Sequence, residues 1–200
     1  IRTLFELGSE WTSMAEPSSS GAVPSLTIPE NLPEPFSEGY FKHCLQLFFQ
    51  IIREKKGRAL FLMSSKKSLE ATYSALLPEC KKNGVALLGV GPSGGLGKSM
   101  SLFLRDPEHS ILLTTNQILP KLQEVEDDLN VVVFQKIPFD FPDDPLIVAR
   151  SKFFDNGFEN YTLPRAVAKF RELLVEFSES PTPKTCYLLD RRVKSREYGK

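Results

Sequence analysis

From Phe36 to Lys55 the apolar side chains Phe41, Cys44, Leu45, Phe48, Ile51 and Ile52 return every three or four positions, and Gly57 supplies a stop. That spacing predicts a long amphipathic helix. Beyond it the pattern changes to short apolar runs: ALFLMSS (59–65), VALLGV (85–90), SILLTTN (110–116), NVVVFQKIP (130–138) and TCYLLD (185–190). Between them lie helical stretches from Ser68 to Lys82, from Lys98 to Arg105, briefly after Asn116, and from Leu163 to Ser178. Short continuous apolar runs separated by amphipathic helices read as buried parallel strands, so the predicted class is α/β, a mainly parallel sheet of about five to seven strands with helices on both faces. The crossovers are expected to be right-handed. No internal repeat is visible.

Residues 12–35 are rich in Ser, Pro and Gly with little periodicity, the composition of a connector that does not pack as a unit. Ahead of it Leu4, Phe5, Leu7 and Trp11 are expected to pin the start of the chain to the domain surface. The organisation is therefore an N-terminal segment and linker over 1–35 and one domain over 36–200. The chain starts at Ile1 and stops at Lys200 without natural terminal features, which is expected of a piece of a larger protein.

Composition narrows the chemistry. With 200 residues, 41% of them hydrophobic, the chain can bury one good core. Lys plus Arg and Asp plus Glu number 25 each, so no net field draws the chain to nucleic acid or to an anionic membrane, although a local basic patch fits this balance. Cys44, Cys80 and Cys186 are odd in number, widely spaced and free of C-x-x-C, against a disulfide framework, a zinc site or an iron–sulfur cluster; they read as small buried hydrophobes in a reducing cytoplasm. No apolar run reaches the length of a membrane span, and no charged-then-apolar leader opens the chain. The only two histidines, His43 and His109, pair with no nucleophile, so a Ser or Cys hydrolase finds no support.

One segment imitates a nucleotide-binding loop. VALLGVGPSGGLGKSM runs from an apolar strand into glycines and a G-K-S, making Gly97, Lys98 and Ser99 candidate phosphate ligands and Gly91 to Ser99 a candidate P-loop. The spacing is off by one. The G-x-x-x-x-G-K-S pattern needs Gly at position 92, where Pro92 stands without an N–H to offer. The expected reading is an ordinary strand-to-helix loop, with a P-loop nucleotide-binding protein as the alternative.

The segments KIPFDFPDDPLIVAR, FENYTLPRAVAKFRELLVEFSES and TCYLLDRRVKSREYGK carry a specific pattern from Lys136 onward. They resemble the second motor domain of the XPD/DinG family of superfamily-two DNA helicases. There K-[LI]-P-F-x-x-P-x-D-P-L-x-x-A-R follows a strand, Y-x-L-P-x-A-V opens a helix bearing Q-x-x-G-R-x-x-R, and a later strand ends in L-D-x-R with K-x-Y-G close behind. Aligned without gaps from Ala166, the family's Gln falls on Glu172, its second Gly on Val175, and its two Arg on Glu176 and Glu179. A guanidinium facing a nucleotide's phosphates stabilises developing negative charge, whereas a glutamate there repels it. On the residues alone, Arg165, Lys169, Glu172, Glu176 and Glu179 form one charged stripe opposite the apolar stripe Val167, Phe170, Leu174 and Phe177.

Two further stretches extend the resemblance over residues 36–200. RALFLMSSKKSLE matches the family's strand that ends in a hydroxyl pair before a helix, where hydroxyls and N–H groups hold a DNA phosphate; the alternative is that Ser65 or Ser68 simply caps the helix. SILLTTNQILPKLQEVEDDLNVVVFQKIPF matches the family's G-T-x-x-[FW]-W-E-G-[VI]-D motif only at Thr115: Asn116 replaces the next residue, Leu119, Pro120 and Lys121 the W-E-G run, and Gln123 the Asp. The resemblance implies a RecA-like fold, Ser64, Ser65, Lys66 and Thr115 as nucleic-acid contacts, and no catalytic or metal-binding residue. In the family, ATP sits between two such domains and the first supplies the P-loop and the magnesium-binding acids. The expected partners are therefore a first RecA-like domain in the parent chain, weakly bound single-stranded DNA and a protein partner, with no membrane. ATP and Mg are expected only if the parent supplies that first motor domain. The expectation is a degenerate helicase C-terminal-like domain acting as a non-catalytic scaffold or binding module, with the isolated chain inactive. The alternative is the second motor half of an active ATP-dependent DNA helicase.

Overall fold

The computed structural model describes residues 25–54, 57–105, 109–125, 129–179 and 184–195. In chain order the elements are β1 (Ser25–Thr27), α1 (Tyr40–Glu54), β2 (Gly57–Leu62), α2 (Lys66–Lys82), β3 (Ala86–Gly89), α3 (Leu96–Arg105) and β4 (His109–Thr114). There follow a 3-10 helix (Asn116–Glu124), β5 (Leu129–Phe134), α4 (Pro145–Ser151), a π-helical turn (Phe158–Thr162), α5 (Leu163–Glu179), β6 (Thr185–Leu188) and α6 (Arg192–Ser195). Among the described residues the strands form one sheet of six in the order β1-β6-β5-β2-β4-β3, every pair parallel. This is the predicted class, and the apolar runs supply five of the strands.

The alternation within each strand sorts the core into two halves. On one face Leu60, Leu62, Leu112, Val132, Phe134, Cys186 and Leu188 pack against Met100 and Phe103 of α3, Ile118 and Leu122 of the 3-10 helix, and Ala166, Phe170, Leu173 and Phe177 of α5. On the other, Ala59, Phe61, Ile111, Leu113, Val131 and Val133 meet Cys44, Phe48, Ile51 and Ile52 of α1 and Leu69, Leu76 and Cys80 of α2. A period-two strand buried on both sides needs this continuous apolar composition, which is why β2, β4 and β5 carry it. Aromatic rings tie sheet to helices: Phe48 stacks on Phe61 at 4.6 Å, and Phe134 meets Phe170 edge-on at 4.9 Å.

Helix ends follow local chemistry. Ser65 caps α2 by accepting the Ser68 N–H at 3.1 Å. Asp144 caps α4, its carboxylate accepting the Leu146 and Ile147 N–H groups at 2.8 and 3.3 Å, with Pro145 in the first turn where no donor is missed. The D-P-L of the sequence is thus a helix start.

The connector read over residues 12–35 is corrected in its described part. Ser25–Thr27 pairs in parallel with Thr185–Tyr187 as the sheet's edge strand, and Leu32 and Pro35 are buried. Alternating Leu26 and Ile28, packed against the core, are what the proline-rich composition concealed. The apolar residues Leu4, Phe5, Leu7 and Trp11 lie outside the described residues. Among the described residues, no helix is long and apolar enough to cross a membrane.

Candidate functional site

Because all strands are parallel, their carboxyl ends gather at one edge, where open α/β sheets bind ligands. The backbone ladder continues past the strands: Met63 N–H donates to Thr114 O, Val90 N–H to Leu113 O, Gln135 N–H to Leu62 O and Leu189 N–H to Phe134 O, at 2.7–3.0 Å. Ser64, Ser65, Lys66 and Thr115 therefore arrive at this edge just past the ends of the neighbouring strands β2 and β4. Their side chains are differently engaged. The Ser64 N–H and hydroxyl both donate to Gln135 Oε1, at 3.0 and 2.8 Å, and the Ser68 hydroxyl joins them at 2.8 Å. Ser65 accepts its cap bond. Lys66 is exposed and 4.0 Å from Glu70, a contact of little energetic weight. Thr115 precedes the 3-10 helix, half-buried, with no side-chain cap bond.

Gln135, only 2% exposed, was not foreseen from the sequence. It stitches the end of β5 to the start of α2 by collecting three donors on one carbonyl oxygen. The only signal was an amide ending an otherwise apolar strand.

At the ends of β5 and β6 a second polar cluster forms. Asp190 is fully buried; its carboxylate accepts the Ile137 N–H at 3.1 Å, the Arg192 N–H at 3.2 Å, and the Arg192 Nε and Nη2 donors at 2.8 and 2.6 Å. The Arg192 guanidinium also lies 5.4 Å from the Phe139 ring centroid. The L-D-x-R of the sequence is accordingly an ion pair built on a fully buried carboxylate, with two guanidinium bonds to it. Beside it the Tyr40 hydroxyl sits 2.5 Å from Gln135 O and 2.9 Å from Leu189 O, both acceptors, and burial pushes its pKa well above the usual range. Burial and the nearby Arg192 pull the Lys136 amine below its ordinary value, against the opposing pull of Asp190 and Cys44. Lys136 Nζ lies 3.6 Å from the Phe36 ring centroid and 5.4 Å from that of Tyr40. Phe36, at φ 73, is the one non-glycine residue with positive φ among those described, a conformation that costs about 1–2 kcal/mol.

The charged stripe of α5 is divided. At its start Arg165 Nε donates to Asp140 Oδ2 at 2.8 Å, and Lys169 Nζ donates to Asp140 Oδ1. Burial raises the Asp140 carboxyl, but the Arg165 and Lys169 bonds outweigh it and hold the pKa below the usual carboxylate value. Further along, Glu172 is exposed and Glu176 half-buried, while the Glu179 side chain lies outside the described residues. Both cations of the stripe are thus bound to Asp140, and the next turns present carboxylates.

The glycine-rich loop uses its own backbone. Gly91 and Gly94 exchange N–H···O bonds at 2.8 and 3.1 Å, and Ser93 N–H donates to Gly89 O at 2.8 Å. Both glycines have positive φ, 113 and 117. Gly97 and Lys98 are exposed, but Ser99 is fully buried, its hydroxyl 3.4 Å from the carbonyl oxygens of Gly89 and Gly94. The amides of Gly91, Ser93 and Gly94 are thus spent on carbonyls within the turn, while of the three candidate residues two face solvent and one is buried. Among the described residues, no group of three or more His, Cys, Asp or Glu gathers to hold a metal ion. The thiols of Cys44 and Cys80, buried, are pushed up to about 11 and that of Cys186 to about 12.

Comparison with known proteins agrees with this architecture. The family described as helicase C-terminal domain matches residues 48–173. The chain is 32% identical over 154 residues, 74% of its length, to the protein named 3'-5' exonuclease DinG of Bacillus subtilis, and 24% identical over 179 residues, 87% of its length, to ATP-dependent DNA helicase YoaA of Haemophilus influenzae. It spans only 16% and 27% of those proteins. Among solved structures it resembles S. tokodaii Xpd4 (TM-score 0.58, 14% identity, covering 88% of this chain and 36% of that one) and an XPD helicase (0.62, 13%, 87% and 32%). At such identities the structures speak for the fold alone, here a RecA-like one. The family match covers more than half of the residues, and the chain therefore belongs to the helicase C-terminal domain family, in its DinG/XPD-type form.

Proposed function

We propose that this domain is a non-catalytic second motor half, which keeps the frame of a DinG/XPD-type helicase domain and serves a longer polypeptide as a scaffold or binding module. The observation that carries the proposal is the charge on α5. Where the resemblance places two phosphate-reaching arginines, this helix has Glu176 and Glu179, and two of its three cations, Arg165 and Lys169, are already paired with Asp140. A carboxylate at such a position repels a nucleotide's phosphates. The partner this reading calls for is a first RecA-like domain in the same polypeptide, with ATP and magnesium held there. Single-stranded DNA would meet the edge at Thr115 and Lys66, weakly and with a strong salt dependence, because few cations stand beside them. Three buried thiols fit a reducing cytoplasm.

The experiment is ATP turnover stimulated by single-stranded DNA, measured on the longer polypeptide that carries this domain. No stimulated turnover is expected; robust turnover that falls on Glu176→Ala would make this an active motor half. Calorimetric titration of the isolated chain with Mg-ATP is expected to show no binding. Submillimolar binding lost on Lys98→Ala would instead support the glycine-loop alternative.

A further inference from the structure

We propose that Phe36 is a latch on Lys136: its ring, carried on a left-handed backbone, screens that lysine at the carboxyl edge of the sheet, and a flip of residues 36–39 uncovers it. Two fixed points bracket the segment. Leu32 and Pro35 are buried on one side, and on the other Tyr40 is buried with its hydroxyl on the carbonyl groups that end β5 and β6. Between them Phe36, Ser37 and Glu38 are exposed. The turn is closed by Ser37 N–H on Glu34 O at 3.0 Å and Tyr40 N–H on Ser37 O at 3.3 Å.

Both ends of this turn are left-handed, Phe36 at φ 73 and Gly39 at φ 84. Glycine accepts either sign of φ, so Gly39 is a ready hinge; phenylalanine does not, and its conformation persists only where a contact compensates. Hydrophobic burial is not that contact, because Phe36 is 84% exposed. The contact of the ring itself is with the Lys136 ammonium, 3.6 Å from its centroid and well within cation–π range, alongside the Ser37 N–H and hydroxyl that both donate to Glu34 O in the following backbone. The other titratable or charged groups facing Lys136 are Arg192, Asp190, Cys44 and Tyr40. Lys136 stands two residues past the end of β5, so with the latch closed this stretch of the edge presents an aromatic face, and with it open the lysine's cation. An anion that pairs with Lys136 competes with the ring and therefore favours the open state.

Amide hydrogen exchange at Ser37 and Tyr40, with Leu60 in β2 as the internal reference, tests the latch. Lys136→Met keeps the stem and removes the charge; it is expected to speed exchange at Ser37 and Tyr40 about two- to fivefold, the factor carried by an exposed cation–π contact, and to leave Leu60 unchanged. Lys136→Arg is expected to behave as the natural protein. In a Phe36→Gly background, where the left-handed backbone is unstrained, Lys136→Met is expected to change nothing. Unchanged exchange in Lys136→Met, an increase that persists with Phe36→Gly, or an increase shared by Leu60 would each overturn the latch.

Discussion

Replacing Arg192 by Met is the sharpest test of the brace between β5 and β6. The substitution retains an unbranched stem and removes the guanidinium, whose Nε and Nη2 groups reach Asp190 at 2.8 and 2.6 Å. Each charge-assisted bond contributes about 1.5–3 kcal/mol, and stripping one partner from a buried ion pair costs about 3–5 kcal/mol, because the remaining charge has no water. Asp190 is 0% exposed and retains only two backbone donors, while the Arg192 side chain is 20% exposed, which places the loss near the lower end, about 3 kcal/mol. At a urea slope of about 2 kcal/mol/M, this lowers the unfolding midpoint by about 1.5 M with the slope unchanged. Adding Asp190→Asn removes the stranded charge and keeps an acceptor for the Ile137 N–H, so the double variant is expected to recover more than half of the loss. A single-variant loss below about 1 kcal/mol, or a double variant no better than the single, would refute the reasoning.

Asp140→Asn is expected to cost about 1 kcal/mol at neutral pH, since Arg165 and Lys169 are partly solvated. Because the folded-state pKa of Asp140 is depressed, its contribution is present above the unfolded carboxylate pKa and lost as pH falls through the folded one, so urea midpoints of the two proteins should converge in acid. Gly94→Ala forces a side chain onto φ 117 with its Cβ 2.9 Å from the Lys98 side chain, and should cost about 1 kcal/mol in thermal unfolding, whereas Gly95→Ala, with nothing within 4 Å, should be nearly neutral. Gln135→Leu strands the Ser64 amide and frees two serine hydroxyls; a loss of about 1–3 kcal/mol with faster exchange of the first α2 amides is expected, and unchanged exchange there would show that the stitch is idle.

How far the fold was legible follows from range. β2, β4 and β5 announced themselves because both of their faces are buried, and α1 and α5 because one face is. Ser65 was readable as a cap because its partner is three residues away. Asp140 was not, since its partners Arg165 and Lys169 lie 25 and 29 residues further on and belong to another element. Gln135 was hidden likewise, its donors being 67 and 71 residues distant. β1 was missed for a different reason. Three residues among prolines carry too little periodicity to register, and their strand exists only because β6 offers an open edge.

That pairing has a consequence for how the protein is made. β1 lies beside β6, the strand formed from residues 185–188, and the same join is reinforced by Lys194 Nζ on Ile28 O and the Ser195 hydroxyl on Glu34. During synthesis β2, β4 and β3 can assemble as soon as residue 114 has emerged, and β5 soon after. Residues 25–35 must wait for some 150 more amino acids before their place on the sheet exists. Until then Leu26 and Ile28 have no neighbouring strand to lie beside, so the first strand to be translated is among the last to join the sheet, and a ribosome stalled before Thr185 leaves β5 as a bare, hydrophobic edge.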